Sequence, residues 1–226
     1  MKRTSSRIFE TQDGSHSVYS ETYGVSYHSK YGAIQESQHV FIESGLYYKM
    51  AGSTAPISIL EIGMGTGLNV FMTMLEAEKR QVHISYTTVE AYPLPMDEAS
   101  QLNYPQQLDK KEWTDRFTAI HECKWNKLCR ISPYFELKKL QTKFEELDLV
   151  NSFDVIYFDA FAPNAQPELW DEHVMGIMYR ALKPEGVLTT YCAKGAVKRT
   201  LRGLGFTIQA LPGPPGKREM TRAVKS

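Results

Sequence analysis

The strongest chemical signal in this sequence is a glycine-rich segment, EIGMGTGLN at residues 61–69. It follows a short apolar run and precedes a stretch in which apolar residues recur at helical spacing. Glycine lets the backbone turn tightly and lets a ligand approach the main chain closely. The dinucleotide pattern G-x-G-x-x-G fails, because Leu68 occupies the last position when the count starts at Gly63. The segment is either a ligand-binding loop of another kind or an ordinary strand-to-helix turn.

Two carboxylates are expected at the same edge of a sheet as this loop. Glu90 closes the next predicted strand, and Asp159 follows the largely apolar residues of a later strand. Ligands of open α/β sheets bind outside the carboxyl ends of the strands, where Glu90 could accept hydrogen bonds from both hydroxyls of a ribose. Asp159 needs a partner, because burying an unpaired carboxylate is costly. We expect Asp159 to contact a cofactor or an acceptor; a solvent-exposed Glu90 and a loop-capping Asp159 are the alternatives.

Alternating strands and helices position these residues. The predicted elements are strands at 57–62, 83–90, 153–158 and 187–191, with helices at 69–78 and about 168–182. This alternation predicts an α/β fold with a mostly parallel sheet and helices on both faces. Two further strands, 206–211 and 219–224, flank the turn PGPPG and predict an antiparallel hairpin at one side of the sheet.

The opening part of the chain has a different pattern. Residues 13–28 alternate polar with aromatic or apolar side chains, which predicts a hairpin or two short strands. Residues 34–50 have near-helical spacing of apolar side chains and predict a helix. We therefore divide the chain into an N-terminal β/α extension, residues 1–50, that packs on the core, and a main domain, residues 51–226.

Composition narrows the class of protein. The net charge of zero argues against a general nucleic-acid binder, although residues 183–226 carry a net charge of +7 that could meet phosphates or form a solvated face. The three cysteines have no metal-type spacing, and we expect them to be reduced in a cytoplasmic protein without a metal. No apolar run is long enough for a membrane span, and no secretory signal is recognisable.

Several segments together resemble one family, the methyltransferases that complete 5-methylaminomethyl-2-thiouridine at the wobble position of tRNA (the MnmC-type methyltransferase domain). The matching segments are DGSHSVYS at 13–20, QESQHVFI at 35–42, EIGMGTGLN at 61–69, VEAYPL at 89–94, FDAFAPNAQPELW at 158–170 and GKREM at 216–220. They run in family order across nearly the whole chain. The segments at 158–170 and 216–220 are the specific ones, because the glycine loop alone resembles the first motif of class I methyltransferases in general.

The resemblance implies a class I, Rossmann-like methyltransferase fold that uses S-adenosylmethionine as the methyl donor. It implies an aminomethyl-uridine acceptor in the anticodon stem-loop of tRNA. Some relatives are fused to a flavin-dependent oxidoreductase domain. This chain has no second glycine-rich dinucleotide loop, so we expect a stand-alone methyltransferase form without flavin. A separate oxidoreductase or modification enzyme would then supply the aminomethyl-uridine.

The predicted site has three parts. The donor is expected to contact Glu61, Gly63, Met64, Gly65, Gly67, Asn69 and Glu90, with Tyr19, Glu36, Lys143 and Phe144 around it. Relatives carry an acidic residue near Lys143 for adenine, so backbone groups near Lys143 and Phe144 are the substitute contact. For the RNA we predict stacking by Phe161, a loop stiffened by Pro163, and phosphate contacts from Lys198, Arg199, Lys217 and Arg218.

Asp159 is the predicted catalytic residue. Methyl transfer from a sulfonium to an amine is an in-line displacement, and an alkylamine is largely protonated at neutral pH. A carboxylate that orients the amine or takes its proton accelerates the reaction by roughly 10²–10⁴-fold. Two alternatives remain: an aminopropyltransferase, which shares the fold, and a non-catalytic RNA-binding scaffold with a vestigial pocket. The basic C-terminal segment favours RNA over a polyamine.

Overall fold

The computed structural model describes residues 6–51 and 54–226 of the chain. The strands are β1 (Ser6–Glu10), β2 (His16–Ser20), β3 (Val25–Ser26), β4 (Ile57–Ile62), β5 (Ile84–Val89), β6 (Leu128–Ser132), β7 (Phe135–Leu140), β8 (Phe153–Phe158), β9 (Leu182–Thr190), β10 (Phe206–Pro212) and β11 (Glu219–Lys225). The α-helices are α1 (Ala33–Ser37), α2 (Tyr48–Met50), α3 (Leu68–Arg80), α4 (Met96–Ala99), α5 (Tyr104–Gln107), α6 (Thr114–Glu122), α7 (Glu172–Ala181) and α8 (Gly195–Gly203). A π-helical stretch, Gln38–Tyr47, joins α1 to α2.

The main sheet has eight strands in the order β10-β11-β9-β8-β4-β5-β7-β6. The five strands from β9 to β7 in this order run parallel to one another. The hairpin of β10 and β11 adds to one edge in antiparallel orientation, and β6 adds antiparallel to the other edge. The predicted α/β fold, the parallel sheet and the C-terminal hairpin are therefore confirmed, whereas the sequence reading did not identify β6 and β7.

Alternation along the central strands divides the hydrophobic core between the two faces of the sheet. On β4, Ile57 and Ile59 pack in one cluster, with residues of α3 and α6. Leu60 and Ile62 pack in the other cluster, with residues of α7 and α8. Successive side chains of a strand point to opposite faces, so Glu61 faces the same side as Ile59. The alternation of side chains along β4 therefore places an ionisable residue, Glu61, inside the first cluster.

The N-terminal part forms a separate three-stranded antiparallel sheet, β1-β2-β3, followed by the helical stretch from α1 to α2. Val18, Phe41 and Leu46 belong to the same hydrophobic cluster as Ile59 of the main sheet. The predicted strands within 13–28 and the predicted helix at 34–50 are found, with a π-helical middle that the sequence did not predict. Residues 1–5 lie outside the described part of the chain, and the division of the chain after residue 50 stays a prediction.

The cysteines depart from expectation. Cys123 ends α6 and Cys129 lies on β6, and the two form a disulfide with their Cα atoms 6.3 Å apart. The chain turns back between these residues, which brings their Cα atoms within disulfide distance. The expectation of reduced cysteines is therefore wrong for this pair, while Cys192 is free and buried. In the part of the chain that the structure describes, no helix is long and apolar enough to cross a membrane.

Candidate active site

A cavity of about 330 Å³ opens at the carboxyl ends of β4, β5 and β8. The loops after these three neighbouring strands contribute Gly63 and Gly65, Glu90, and Asp159 to its wall. Neighbouring parallel strands end at the same edge of a sheet, which is why residues so far apart in sequence meet here. The structure thus brings together the glycine loop and both of the carboxylates that the sequence singled out.

The glycine loop adopts a backbone that suits glycine. Gly65 has a φ of 50°, and a Cβ atom there would lie 2.8 Å from the Tyr27 ring. Gly67 has a φ of 74°, and its missing side chain makes room for His121 rather than for the cavity. Met64 lines the cavity with its glycine neighbours. The loop therefore presents backbone to the cavity at Gly65 and packs against α6 at Gly67.

Glu90 is held by the main chain at the cavity wall. Its Oε2 accepts a hydrogen bond from the Gly65 amide at 3.3 Å, and its Oε1 accepts one from the Tyr92 amide at 2.8 Å. Burial raises the pKa of this carboxyl above its ordinary value, against the effect of these amides. Each carboxylate oxygen has a further lone pair for a ligand, so Glu90 can accept hydrogen bonds from two hydroxyls.

Asp159 lies at the end of β8, where its backbone amide bonds to Ile62 O. Its Oδ2 accepts a hydrogen bond from Asn69 Nδ2 at 2.9 Å. Burial and the nearby charge of Glu36 raise the pKa of Asp159 to about 7, while Asn69 and the Lys217 ammonium act in the opposite direction. A carboxyl that titrates near neutrality can exchange a proton with an amine at physiological pH.

Glu36 and Lys217 form an ion pair close enough to Asp159 to affect its pKa. The Lys217 Nζ lies 2.5 Å from Glu36 Oε1 and 3.8 Å from the centre of the Tyr191 ring. Glu36 Oε2 also accepts a hydrogen bond from the Ser29 amide. Neither Glu36 nor Lys217 is on the cavity wall. Glu36 and Lys217 form an ion pair with each other in this structure, and their predicted contacts with the donor and with phosphate stay predictions.

Three residues of the N-terminal extension that were not predicted from the sequence also line the cavity: Tyr23, Tyr27 and His28. Both tyrosine rings pack on Phe161, with ring centres 5.1 and 5.0 Å away. His28 Nε2 lies 2.8 Å from Thr66 Oγ1, and burial lowers the His28 pKa to about 4, so the ring is neutral. The alternation of aromatic residues in 19–28 was the available signal. Tyr19, the residue chosen from it, lies on β2 away from the cavity wall.

Of the other residues predicted to contact the donor, two line the cavity and two are buried outside it. Lys143 and Phe144, the residues predicted to flank adenine, line the same cavity as Glu90. Glu61 and Asn69 are buried beneath the glycine loop and do not line the cavity. Thr88 Oγ1 donates to Glu61 Oε2 at 2.7 Å, and burial raises the Glu61 pKa to about 8.

Two side-chain hydrogen bonds to backbone carbonyl groups hold the loop after β8 in place. Trp170 Nε1 donates to Phe161 O at 2.7 Å, and Tyr191 Oη donates to Ala160 O at 2.8 Å. Pro163 lies in this loop but not on the cavity wall. These bonds hold Phe161 at the wall, so the loop position does not depend on Pro163 alone.

The basic residues predicted for RNA divide into two kinds. Lys198 pairs with Glu219 at 2.9 Å, which ties α8 to the hairpin. Arg199 and Arg218 are exposed on the same two elements. Exposed guanidinium groups are suited to phosphate oxygens, so this pair remains the candidate basic rim.

A glycine loop after β4, with carboxylates after the neighbouring strands β5 and β8, is the arrangement of a ligand-binding site in a Rossmann-like α/β fold. Residues 100–226 match the family of S-adenosyl-L-methionine-dependent methyltransferases, and the chain belongs to this family. The expected enzyme class and the expected methyl donor are thereby confirmed. The cavity fits this donor, because Glu90 offers free lone pairs for a ribose and the glycine loop contributes Gly63 and Gly65 to the cavity wall.

The chain is similar to longer proteins. It is 28% identical over 219 residues to the tRNA 5-methylaminomethyl-2-thiouridine biosynthesis bifunctional protein MnmC of Cupriavidus metallidurans, covering 91% of this chain and 32% of that protein. It is 27% identical over 225 residues to the MnmC protein of Chromohalobacter salexigens, covering 94% of this chain and 32% of that protein. The chain thus spans about a third of the length of these relatives.

Two solved structures share the fold. MNMC2 from Aquifex aeolicus matches with a TM-score of 0.78 and 23% identity, over 98% of this chain and 70% of that one. Spermidine synthase from Thermotoga maritima matches with a TM-score of 0.62 and 16% identity, over 100% of this chain and 70% of that one. Both matches bear on the fold, and the choice between their activities depends on the site.

Proposed function

We propose that this protein transfers a methyl group from S-adenosylmethionine to the aminomethyl nitrogen of 5-aminomethyl-2-thiouridine at the tRNA wobble position. The observation that carries the proposal is Asp159, a carboxyl with a pKa of about 7 on the wall of the cavity that the glycine loop and Glu90 enclose. The similarity to MnmC proteins over more than nine-tenths of the chain supports this acceptor.

The donor would be held by three groups of this chain. The backbone at Gly63 and Gly65 lies beside the reacting end, and the Glu90 carboxylate accepts from the ribose hydroxyls. Lys143 and Phe144 flank the adenine. The donor supplies a methyl group already activated by its bond to a sulfonium. The protein contributes chiefly by holding the amine in line with that bond, an effect worth up to about 7–11 kcal/mol.

Asp159 would manage the proton of the acceptor. An ionised Asp159 accepts the proton of the incoming ammonium, which frees the nitrogen lone pair. That lone pair forms the new nitrogen–carbon bond as the carbon–sulfur bond breaks, and its electrons stay on sulfur. The reaction therefore needs a site in which Asp159 is ionised before transfer and can carry a proton afterwards, which a pKa near neutrality permits.

Aromatic and basic residues around the mouth would receive the RNA. Tyr92 is 61% exposed and lies on the wall near Tyr23, and Phe161 packs against Tyr23. A splayed-out uracil can stack on such rings. Arg199 and Arg218 would contact phosphates of the anticodon stem-loop. Because such an acceptor resides with the tRNA pool, we place the protein in the cytoplasm, with a separate modification enzyme that makes the aminomethyl-uridine.

The test is nucleoside mass spectrometry of tRNA that carries aminomethyl-uridine, after incubation with methyl-labelled donor. We expect one labelled methyl group on that nucleoside, formed much more slowly by the Asp159→Asn protein. A parallel reaction supplies putrescine and decarboxylated S-adenosylmethionine that is labelled in its aminopropyl group, because the spermidine synthase likeness makes aminopropyl transfer the competing chemistry. Labelled polyamine with unlabelled tRNA would overturn the proposal. Absence of both products with normal binding of S-adenosylhomocysteine would overturn the acceptor assignment.

A further inference from the structure

A second carboxyl group lies beneath the cavity and contacts the residue that holds Asp159. Glu61 on β4 is fully buried, and one of its oxygens accepts from Thr88. The Asn69 side chain lies against the same carboxyl. The Nδ2 of Asn69 in turn donates to Asp159 Oδ2 at 2.9 Å. A single amide therefore connects Glu61 in the core to Asp159 at the cavity.

Three polar atoms at this place lack a hydrogen-bond partner among the residues that the structure describes: Glu61 Oε1, Asn69 Oδ1 and Tyr86 Oη. The first two are acceptors and cannot satisfy each other unless a proton lies between them. Leaving a buried polar group without a hydrogen-bond partner is energetically costly. One proton on Glu61 satisfies all three, since Glu61 then donates to Asn69 Oδ1 and Tyr86 donates to Glu61.

We propose that Glu61 is protonated while Asp159 is ionised, and that the Asn69 amide links them by accepting a hydrogen bond from Glu61 and donating one to Asp159. The Glu61–Asn69 hydrogen bond would fix the amide with its NH₂ group towards Asp159. Glu61 is then a positioning residue for methyl transfer, since it acts through Asn69 and does not line the cavity. This inference rests on the role proposed for Asp159.

The reverse arrangement shows why the amide orientation matters. If Glu61 were ionised, the Asn69 NH₂ group would turn to it, and Asn69 Oδ1 would face Asp159. Two facing acceptors would then force the proton onto Asp159, and the base would be lost. Burial favours the neutral form of Glu61, because it raises the pKa of this carboxyl to about 8.

Other titratable groups also affect the pKa values of Asp159 and Glu61. The titratable groups that interact with Asp159 are Glu36 from α1, Lys217 from the hairpin, Tyr191 from the segment after β9, Glu61 on β4 and Tyr86 on β5. The titratable groups that face Glu61 are Asp159, Tyr86 on β5 and Tyr157 on β8. Burial raises the pKa of all three tyrosines, so they are neutral. Glu36 and Lys217 oppose each other in their effect on Asp159.

The experiment follows the titration of the Asp159 carboxyl by ¹³C NMR in the protein alone, with the signal assigned from its loss in Asp159→Asn. Glu61→Leu and Asn69→Leu should each raise the Asp159 midpoint by about one pH unit, because the carboxylate loses its amide donor. Glu61→Gln should restore the wild-type midpoint. Its amide can donate to Asn69 Oδ1 and accept from Thr88, as the protonated carboxyl does.

Two results would overturn the inference. A lower midpoint in Glu61→Gln would show that a negative charge had been removed, and an unaltered midpoint in Glu61→Leu would show that Asn69 does not depend on Glu61. Titration with S-adenosylhomocysteine checks that each variant is folded. If Glu61→Leu does not fold, Glu61→Gln still decides the question: a lower Asp159 midpoint overturns the inference and an unaltered one supports it. None of these measurements uses tRNA, so a failed methylation assay would count against the acceptor and not against the protonation of Glu61.

Discussion

Lys217 reaches Glu36 across 181 residues of sequence, and its Nζ lies 2.5 Å from the Glu36 Oε1. The two side chains differ in exposure: Lys217 is 33% exposed, whereas Glu36 is 7% exposed. The pair joins the C-terminal hairpin to the N-terminal extension, and both of its charges act on Asp159. Removing the ammonium therefore leaves one buried carboxylate uncompensated beside another.

We expect Lys217→Ala to lower the free energy of unfolding by about 2 kcal/mol, less than a fully buried pair would lose because Lys217 is partly exposed. It should also raise the Asp159 pKa, since the Lys217 charge lowers it. Arg218→Ala is the matched control: Arg218 is the exposed neighbour, and the change should be within about 0.5 kcal/mol. Urea unfolding measures the free energy of unfolding of both variants. Equal losses in Lys217→Ala and Arg218→Ala would refute a structural role for the ion pair of Lys217 with Glu36.

Asp159→Asn should lower kcat for methyl transfer by roughly 10²–10⁴-fold, because the variant can orient the amine but not take its proton. Affinity for S-adenosylhomocysteine should change little. A variant that keeps wild-type kcat would exclude Asp159 as the base.

The wild-type pH profile tests the same group independently. Burial and Glu36 raise the Asp159 pKa to about 7, and the base works in its ionised form. Activity should therefore be lost as the pH falls through about 7 and should be highest between this pH and about 8, where Glu61 ionises. An acidic limb near pH 4, the ordinary range of an aspartate, would contradict the raised pKa.

Gly65→Val should abolish donor binding. The position has a φ of 50°, and its new Cβ would meet the Tyr27 ring at 2.8 Å, so the loop or the ring must move into the cavity. Gly203→Ala is the control, because Gly203 lies in α8 with nothing within 4 Å of an added Cβ. Calorimetry with S-adenosylhomocysteine should give no binding for the first variant and normal binding for the second. Normal donor affinity in a folded Gly65→Val protein would remove the glycine loop from the donor site.

The basic rim predicts a change in the salt dependence of tRNA binding. Arg199→Ala with Arg218→Ala should weaken tRNA affinity and reduce the slope of log affinity against log salt by about one for each lost phosphate contact. Lys124→Ala with Lys127→Ala is the charge-matched control, because these exposed lysines precede β6 at the opposite edge of the sheet. Equal losses from both pairs would mean that only overall charge matters.

Local sequence determined the framework of this protein. The strands β4, β5, β8 and β9, the glycine loop and the C-terminal hairpin could be predicted because their signals lie within a few residues: apolar spacing, glycines, and prolines in a turn. The strands β6 and β7 were not predicted. Glu90 and Asp159 followed from a rule about strand ends, and the structure places both at one cavity. The segments at 158–170 and 216–220 carried the family resemblance, and family membership then confirmed the enzyme class.

Tertiary structure decided which side chain each functional residue meets. Glu36 and Lys217 carried no signal of their pairing, because their contact joins residues 181 positions apart. Tyr27 lines the cavity and Tyr19 does not, although both belong to one alternating aromatic pattern. Glu61 is buried beneath the loop, where β4 directs it into the core. Sequence spacing encodes local geometry, whereas these choices depend on how distant elements pack, and packing is settled only when the whole chain has folded.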